Sequence, residues 1–343
     1  MIAFVWFAGC AIAADPVVLR NVHLPGEAAA TVDVRLRDGV IVEIAPTIRA
    51  EGIPDRNRCG RWLAPAAIDS HVHLAYYPVA TELADRGVAG AVDWAAPEDR
   101  VGTVELGGPR IGWSGPMVTA VGGYPTTSWG AGGYGLEVAT ADQAEQGVRR
   151  LAGRGATGIK LSMEDPQLPD DVLRRAIDTA HTLGLPVAAH ALDDAGAARA
   201  AAFGADVLAH TPVEPLAPAT VAAWSGRAVI STLEAFGGTD AAVANLRALA
   251  AADVTVLYGT DLGNTRQVGI DPDELGLLGR AGLDGARILA ACTSAPAARW
   301  GWTELGAIAV GAEASLLVLD ADPTRDPATL SRPVEVWIRG ARR

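Results

Sequence analysis

Residues 158–210 read GIKLSMEDPQLPDDVLRRAIDTAHTLGLPVAAHALDDAGAARAAAFGADVLAH. Three short apolar runs, at 158–162, 187–190 and 207–210, alternate here with two longer stretches, 169–184 and 193–203. Short apolar runs suit buried strands, whereas apolar residues recurring three and four apart suit a helix that buries one face. Gly184 and Gly204 stand where the helices should stop. The segment therefore predicts strand, helix, strand, helix, strand. The same alternation extends in both directions. Candidate strands at 66–73, 88–94 and 110–114 precede it, and others at 228–232 and 254–260 follow, with further helices at 142–153 and 240–251. Eight strands alternating with helices over residues 64–302 predict an α/β fold, a (β/α)8 TIM barrel. No fixed-period repeat points to a solenoid instead.

The flanks read differently. Residues 17–22 and 31–44 alternate apolar with polar positions, and Asp38-Gly39 suits a tight hairpin turn. Residues 314–319 and 334–338 look similar. The two ends, 15–63 and 303–343, are therefore expected to form one small composite β-sandwich domain. Residues 1–14 are an apolar leader too short to span a bilayer. Within it, Phe7-Ala8-Gly9-Cys10 resembles a lipoprotein processing box and Ala11-Ile12-Ala13 a signal-peptidase site, although no basic segment precedes them. This favours export, as a periplasmic, lipidated or secreted protein, over a cytoplasmic one.

Half of the residues are hydrophobic, which supplies a large core, and the formal net charge is −12. With that charge and no basic patch, nucleic acid and anionic membrane surfaces are poor partners. A small-molecule substrate is the expected partner, and assembly into a homo-oligomer is compatible with the sequence. Cys10, Cys59 and Cys292 lie far apart, so neither a disulfide framework nor a thiolate zinc site is indicated.

Lys160 is the only lysine, against 27 arginines. A guanidinium stays protonated, but a buried amine can lose its proton and then act as a nucleophile or take up carbon dioxide. Four of the six histidines also fall at strand ends. His71 and His73 are two apart, so a strand would project both to one side, as a chelating pair requires. His190 and His210 close the fifth and sixth strands. Tyr258-Gly259-Thr260-Asp261 closes the eighth, where the glycine permits close approach of a carboxylate. With Lys160 ending the fourth strand, six groups converge on the C-terminal face, where barrel enzymes place their sites. Singly, each has a plain structural meaning: a core histidine, or an aspartate capping the next helix. Their joint placement at strand ends is what carries the inference. His23 and His181 lack that placement.

Several motifs together resemble the amidohydrolase superfamily over nearly the whole chain. They are Ala64-Pro65-Ala66-Ala67-Ile68-Asp69-Ser70-His71-Val72-His73-Leu74, Gly158-Ile159-Lys160-Leu161, Pro186-Val187-Ala188-Ala189-His190-Ala191, the run ending Leu208-Ala209-His210, Gly259-Thr260-Asp261, Thr293-Ser294-Ala295-Pro296-Ala297 and Leu316-Leu317-Val318-Leu319-Asp320. Within that superfamily the chain is similar to the group related to imidazolonepropionase and to bacterial Xaa-Pro dipeptidases. The resemblance implies two divalent metal ions, with zinc the first expectation and manganese, cobalt or iron also suited to these ligands. It places His71, His73 and Asp261 on one metal and His190 and His210 on the other. Lys160 would bridge them as a carbamate made from carbon dioxide or bicarbonate. It further implies a hydroxide nucleophile held between the metals, with Asp261 carrying its proton to the leaving nitrogen.

The implied activity is hydrolysis of an amide C–N bond in a dipeptide, an N-acyl amino acid or a cyclic amide. The alternatives are a lactonase or other esterase on the same site, or an inactive barrel that serves as a binding module. A complete set of six ligands speaks against the last. A mononuclear deaminase or imidazolonepropionase proper is disfavoured, because the resemblance implies no bridging lysine there. Related dipeptidases carry a histidine after paired glycines following strand three, whereas this chain reads Gly122-Gly123-Tyr124-Pro125. The glycine-rich stretch 115–135, with Tyr124, Trp129 and Tyr134, is expected to be a loop over the barrel mouth. Arg110, Glu164 and Arg266 lie near predicted strand ends, as substrate-orienting groups or ordinary surface charges.

Overall fold

Strand–helix alternation across residues 158–210 is reproduced as Ile159–Ser162, Asp170–Thr182, Val187–His190, Asp194–Phe203 and Val207–Leu208. The structure is a computed structural model describing residues 15–104 and 106–343. The leader reading of residues 1–14, including Cys10, lies outside the described residues. All four residues of Ile159–Ser162 and all four of Val187–His190 are buried. Burial on both faces is what a parallel sheet covered by helices imposes. Asp170–Thr182 supplies one such cover, burying Val172, Leu173, Ala176, Ile177 and Ala180 along a single stripe. The next helix is capped by the Asp193 side chain, which accepts from Gly196 N, and it ends at Gly204 in the left-handed conformation.

The parallel strands divide into two sheets where one eight-stranded ladder was expected. Ala67–Val72, Val88–Asp93 and Arg110–Trp113 form the smaller. The larger runs in the order Thr255–Leu257, Ala228–Ile230, Val207–Leu208, Val187–His190, Ile159–Ser162, Met117–Thr119 and Gly135–Glu137. The division has a local cause at Ser114-Gly115-Pro116. Gly115 takes φ 74°, and Pro116 has no N–H to offer a ladder. As a result Arg110–Trp113 bonds to Val88–Asp93 while Met117–Thr119 bonds to Ile159–Ser162. Two strands of the larger sheet thus lie in or at the edge of a stretch expected to be loop. At the other seam, backbone bonds still cross between the first and last strands. Ser70 N donates to Tyr258 O at 2.8 Å, Asp261 N to His71 O at 2.8 Å, and His73 N to Leu262 O at 2.6 Å.

Strands from both chain ends form a third sheet, in the order Ala341–Arg342, Glu335–Ile338, Leu316–Leu319, Asp55–Pro65, Val17–Leu24, Glu27–Arg37 and Val40–Ala45. The strands follow one hydrogen-bonding order in a continuous sheet whose Val40–Ala45 edge returns to the segment before Leu316–Leu319, with Val40 bridged to Glu313 and Ile41 N donating to Ala312 O at 2.9 Å. Asp55–Pro65 explains the continuity. It pairs in parallel with Val17–Leu24 on one edge and antiparallel with Leu316–Leu319 on the other. Val17, Leu19, Leu36, Ile41, Leu63, Leu316, Val318 and Trp337 share a core beneath it. Asp38 and Gly39 both take positive φ at the hairpin between Glu27–Arg37 and Val40–Ala45, as a type I′ turn requires. Cys59 and Cys292 are free. Among the described residues no helix is long and apolar enough to cross a membrane.

Candidate metal centre

Asp69, His71 and His73 occupy alternate positions at the end of Ala67–Val72 and are all buried. Period-two geometry puts them on one face. Against that face lies the turn after Thr255–Leu257. Gly259 permits the approach, since a Cβ there would stand 3.1 Å from the His71 backbone nitrogen and 2.4 Å from Ile230. The chain then swings Asp261 inward through a left-handed φ of 55°. His73 Nε2 lies 3.0 Å and His71 Nε2 3.6 Å from Asp261 Oδ1. The ligand atoms of these three residues lie within 4.8 Å of one another.

Lys160 joins them from the neighbouring sheet, with Nζ 3.1 Å from His71 Nε2 and only 1% of the residue exposed. The His210 ring lies tilted beside His71 at 4.3 Å between ring centroids, and His190 meets His210 edge-on at 4.9 Å. All six sequence candidates are therefore gathered at one end of the parallel strands. The tight trio is His71, His73 and Asp261. His190 and His210 stand one ring contact further out, and His190 Nε2 faces the Glu164 carboxylate at 3.3 Å.

A hydrogen bond fixes which His71 ring nitrogen is free. His71 Nδ1 lies 2.7 Å from Ala209 O, a carbonyl that can only accept. Nδ1 must therefore carry the proton, and Nε2 turns a lone pair towards Lys160 and Asp261. His210 Nδ1 meets the Thr232 hydroxyl at 3.1 Å, a partner that can serve either tautomer. Burial holds the His71 and His210 imidazoles well below their usual pKa, and the Lys160 charge adds to this, so both are neutral. Burial also lowers the Lys160 amine to about 8, against the pull of Asp261 and Asp93. Burial alone would raise Asp261, but its hydrogen bond to His73 and the neighbouring His71 outweigh it and keep the carboxylate ionised.

A divalent cation fits this arrangement. Neutral imidazoles and an ionised carboxylate are the donors such ions take. Two buried ring nitrogens, His73 Nδ1 and His190 Nδ1, lack any hydrogen-bond partner among the described residues. Lowering the Lys160 amine also raises its share of the unprotonated form, the one that adds carbon dioxide.

Two buried carboxylates escaped the sequence reading. Asp69 accepts from His71 N at 3.0 Å, Thr260 N at 3.1 Å and Thr260 Oγ1 at 2.6 Å, and burial pushes its carboxyl up to about 7. Asp93 accepts from Ala75 N and Ala95 N, and burial raises it to about 6. The parity of Asp69 with His71 and His73 was the available signal for the first.

Other candidates fall away from the centre. Arg110 begins its strand where it was expected near a strand end, and it pairs with Glu304 and Glu313. Arg266 lies over the Tyr77 ring, 4.6 Å from its centroid. His23 bonds to Ala30 O and stacks near Trp62, and His181 pairs with Asp206 at 2.9 Å. The 115–135 stretch does reach the site: Tyr124 stacks on His190 at 4.6 Å, and Trp129 lies 5.0 Å from the His73 ring.

A sequence profile of the amidohydrolase family matches residues 108–342, more than half of the chain. The chain belongs to the amidohydrolase family. It is accordingly a hydrolase acting on carbon–nitrogen bonds, in a family that typically depends on bound metal. The matched segment holds Lys160, His190, His210 and Asp261 and begins after His71 and His73. A Mycobacterium tuberculosis protein described as uncharacterised is 29% identical to this amidohydrolase over 367 residues, covering 94% of each chain. A Bifidobacterium longum protein described as a candidate prolidase superposes with a TM-score of 0.79 at 24% identity, covering 96% of this chain and 95% of that one. A Xaa-Pro dipeptidase with methionine in its active site superposes at 0.81 with 17% identity, covering 96% and 99%. At these identities the likeness to the two structures is one of fold.

Proposed function

We propose that this amidohydrolase cleaves the amide bond of a small substrate, such as a dipeptide, an N-acyl amino acid or a cyclic amide, at a centre for two divalent cations. His71, His73 and Asp261 would hold one ion and His190 and His210 the other. Lys160 would bridge them as a carbamate, and zinc is the first choice of metal. The single observation that carries this reading is the buried convergence of Lys160 Nζ, His71 Nε2, His73 Nε2 and Asp261 Oδ1. Among these, the Asp261 carboxylate is held ionised and burial keeps the His71 imidazole well below its usual pKa, which suits both to a cation.

Bound there, the ions would supply Lewis acidity and a water acidified towards neutral pH. The protein's own part falls mainly to Asp261. Kept ionised at rest, its carboxylate can take a proton from the attacking water and hand it to the leaving nitrogen. Asn264 Nδ2 donates to both Asp261 oxygens at 3.2 Å, which fixes the carboxylate plane. Tyr124 and Trp129 cover His190 and His73 and limit water around them.

For the scaffold, we propose that the two parallel sheets close into one (β/α)8 barrel spanning 64–302. Residues 15–63 and 303–343 would make one composite β domain. The seam bonds between the first and last strands and the sheet shared by both ends support this.

Metal analysis tests the centre. Two ions per chain after reconstitution with zinc and bicarbonate are expected, and one ion with no bicarbonate effect would reject the binuclear reading. A parallel screen of dipeptides, N-acyl amino acids and lactones separates amide from ester hydrolysis.

A further inference from the structure

Aromatic residues make up only 5% of this chain, yet four of its five tyrosines lie on the loops around the candidate centre. Three rings from separate segments pack against three of the candidate histidines. Trp129 lies 5.0 Å from His73, Tyr124 stacks on His190 at 4.6 Å, and Phe236 meets His210 edge-on at 5.0 Å. Tyr76 and Tyr134 back Trp129 at 5.6 and 5.7 Å.

The polar tips of these rings are largely satisfied within the group. Trp129 Nε1 donates to Tyr124 Oη at 2.8 Å, and Tyr134 Oη donates to Ala75 O at 3.2 Å. What remains for a ligand is ring face and ring edge. The cluster is not sealed as a core would be. Tyr76 is 40% exposed, and Tyr124, Trp129 and Tyr134 are each partly open. A half-exposed aromatic group beside buried metal-ligand chemistry is the lining expected of a pocket for a flat apolar moiety.

We infer that the substrate carries an aromatic ring next to the scissile bond, and that Trp129, Tyr124 and Tyr76 form the wall that receives it. The inference rests on the proposed amide hydrolysis only for naming that bond. The ring-binding wall itself stands on the geometry of the aromatic cluster. Trp129 touches both His73 and Tyr76, so a planar group received on this wall lies one ring away from the candidate ligands. A methyl group there would leave the indole and two phenol rings facing water.

Benzoate and acetate test this without requiring any turnover, because they share a carboxylate and differ in the ring. Their dissociation constants are measured by calorimetry on protein reconstituted with zinc and bicarbonate. Benzoate is expected to bind about tenfold or more tightly than acetate, the size of a stacking contact plus ring burial. The ratio should fall towards one in Trp129→Ala and persist in Trp129→Phe, with metal content measured on each variant. Equal affinities in the unaltered protein would overturn the inference, as would a benzoate preference that survives Trp129→Ala unchanged. Absence of hydrolysis across an amide panel would instead count against the proposed activity, leaving the ring-binding result to stand or fall separately. Where amides are cleaved, N-benzoylglycine should exceed N-acetylglycine in kcat/KM by a similar factor.

Discussion

Asp69 Oδ2 accepts the Thr260 hydroxyl at 2.6 Å, and this bond ties the strand that carries His71 and His73 to the turn that carries Asp261. Asp69 Oδ1 accepts both His71 N and Thr260 N, and Leu262 N donates in turn to Thr260 Oγ1 at 3.2 Å. The left-handed Asp261 is thereby held between two anchored neighbours. Thr260→Val removes the hydroxyl at nearly constant volume and should weaken metal binding by about 10–100-fold, the usual effect of losing a group that orients ligands. Thr260→Ser should restore it. Metal affinity measured by competition with a chelator decides the matter, and equal affinity in all three proteins would remove this role from Thr260.

Replacing Lys160 with arginine keeps a positive charge of the kind used everywhere else in the chain. A guanidinium cannot take up carbon dioxide. Lys160→Arg should therefore lose the bicarbonate dependence of metal loading and fall below two ions per chain. Retention of two ions would show that the lysine does not bridge.

Asp261→Asn keeps the shape and one ligand oxygen but removes the proton-accepting charge. Turnover should drop by at least about a hundredfold, in the range general-base catalysis contributes, while metal content stays largely intact. An active variant would transfer the proton-handling role elsewhere.

Glu274 offers a test remote from the centre. It is wholly buried in the helix Pro272–Arg280, where burial pushes its carboxyl from the usual 4.5 up to about 7 and Oε2 accepts from Glu234 N at 2.7 Å. Between those two pH values the folded protein keeps a proton that the unfolded chain has lost. The stability linked to this group is therefore complete below about pH 4.5, falls as pH rises to about 7, and is level beyond. Glu274→Gln should gain on the parent protein between pH 5 and pH 8, by about 1–3 kcal/mol. Urea unfolding of both metal-free proteins at the two pH values measures this, and a constant difference would refute it.

How far the sequence could be read depended on what each residue needs from distant neighbours. Val187–His190 and Asp240–Ala251 have the limits expected of them because apolar runs and helical spacing are local properties. The break at Gly115-Pro116 was legible as punctuation, but nothing local shows that Met117–Thr119 resumes pairing on a different sheet. In the same way, His71, His73 and Asp261 stood out because ionisable groups near the ends of apolar strands are conspicuous, whereas Lys160, expected at a strand end but second in Ile159–Ser162, stood out as the only lysine. Asp93 also ends an apolar strand, but its hydrogen bonds run to Ala75 and Ala95 backbone, a service invisible in spacing. The Trp129 contact with His73 joins residues 56 positions apart and required the fold.

Burial of Lys160 gives this protein an unusual spectroscopic property. Every other side chain cationic at neutral pH without a histidine ring is an arginine, so the described surface presents no lysine amine, and the one ε-amine of the chain sits 3.1 Å from His71 Nε2. Isotopically labelled carbon dioxide would have a single lysine on which to report. Any lysine carbamate resonance seen by carbon-13 NMR would need no assignment by mutagenesis, and its intensity would count occupied sites directly.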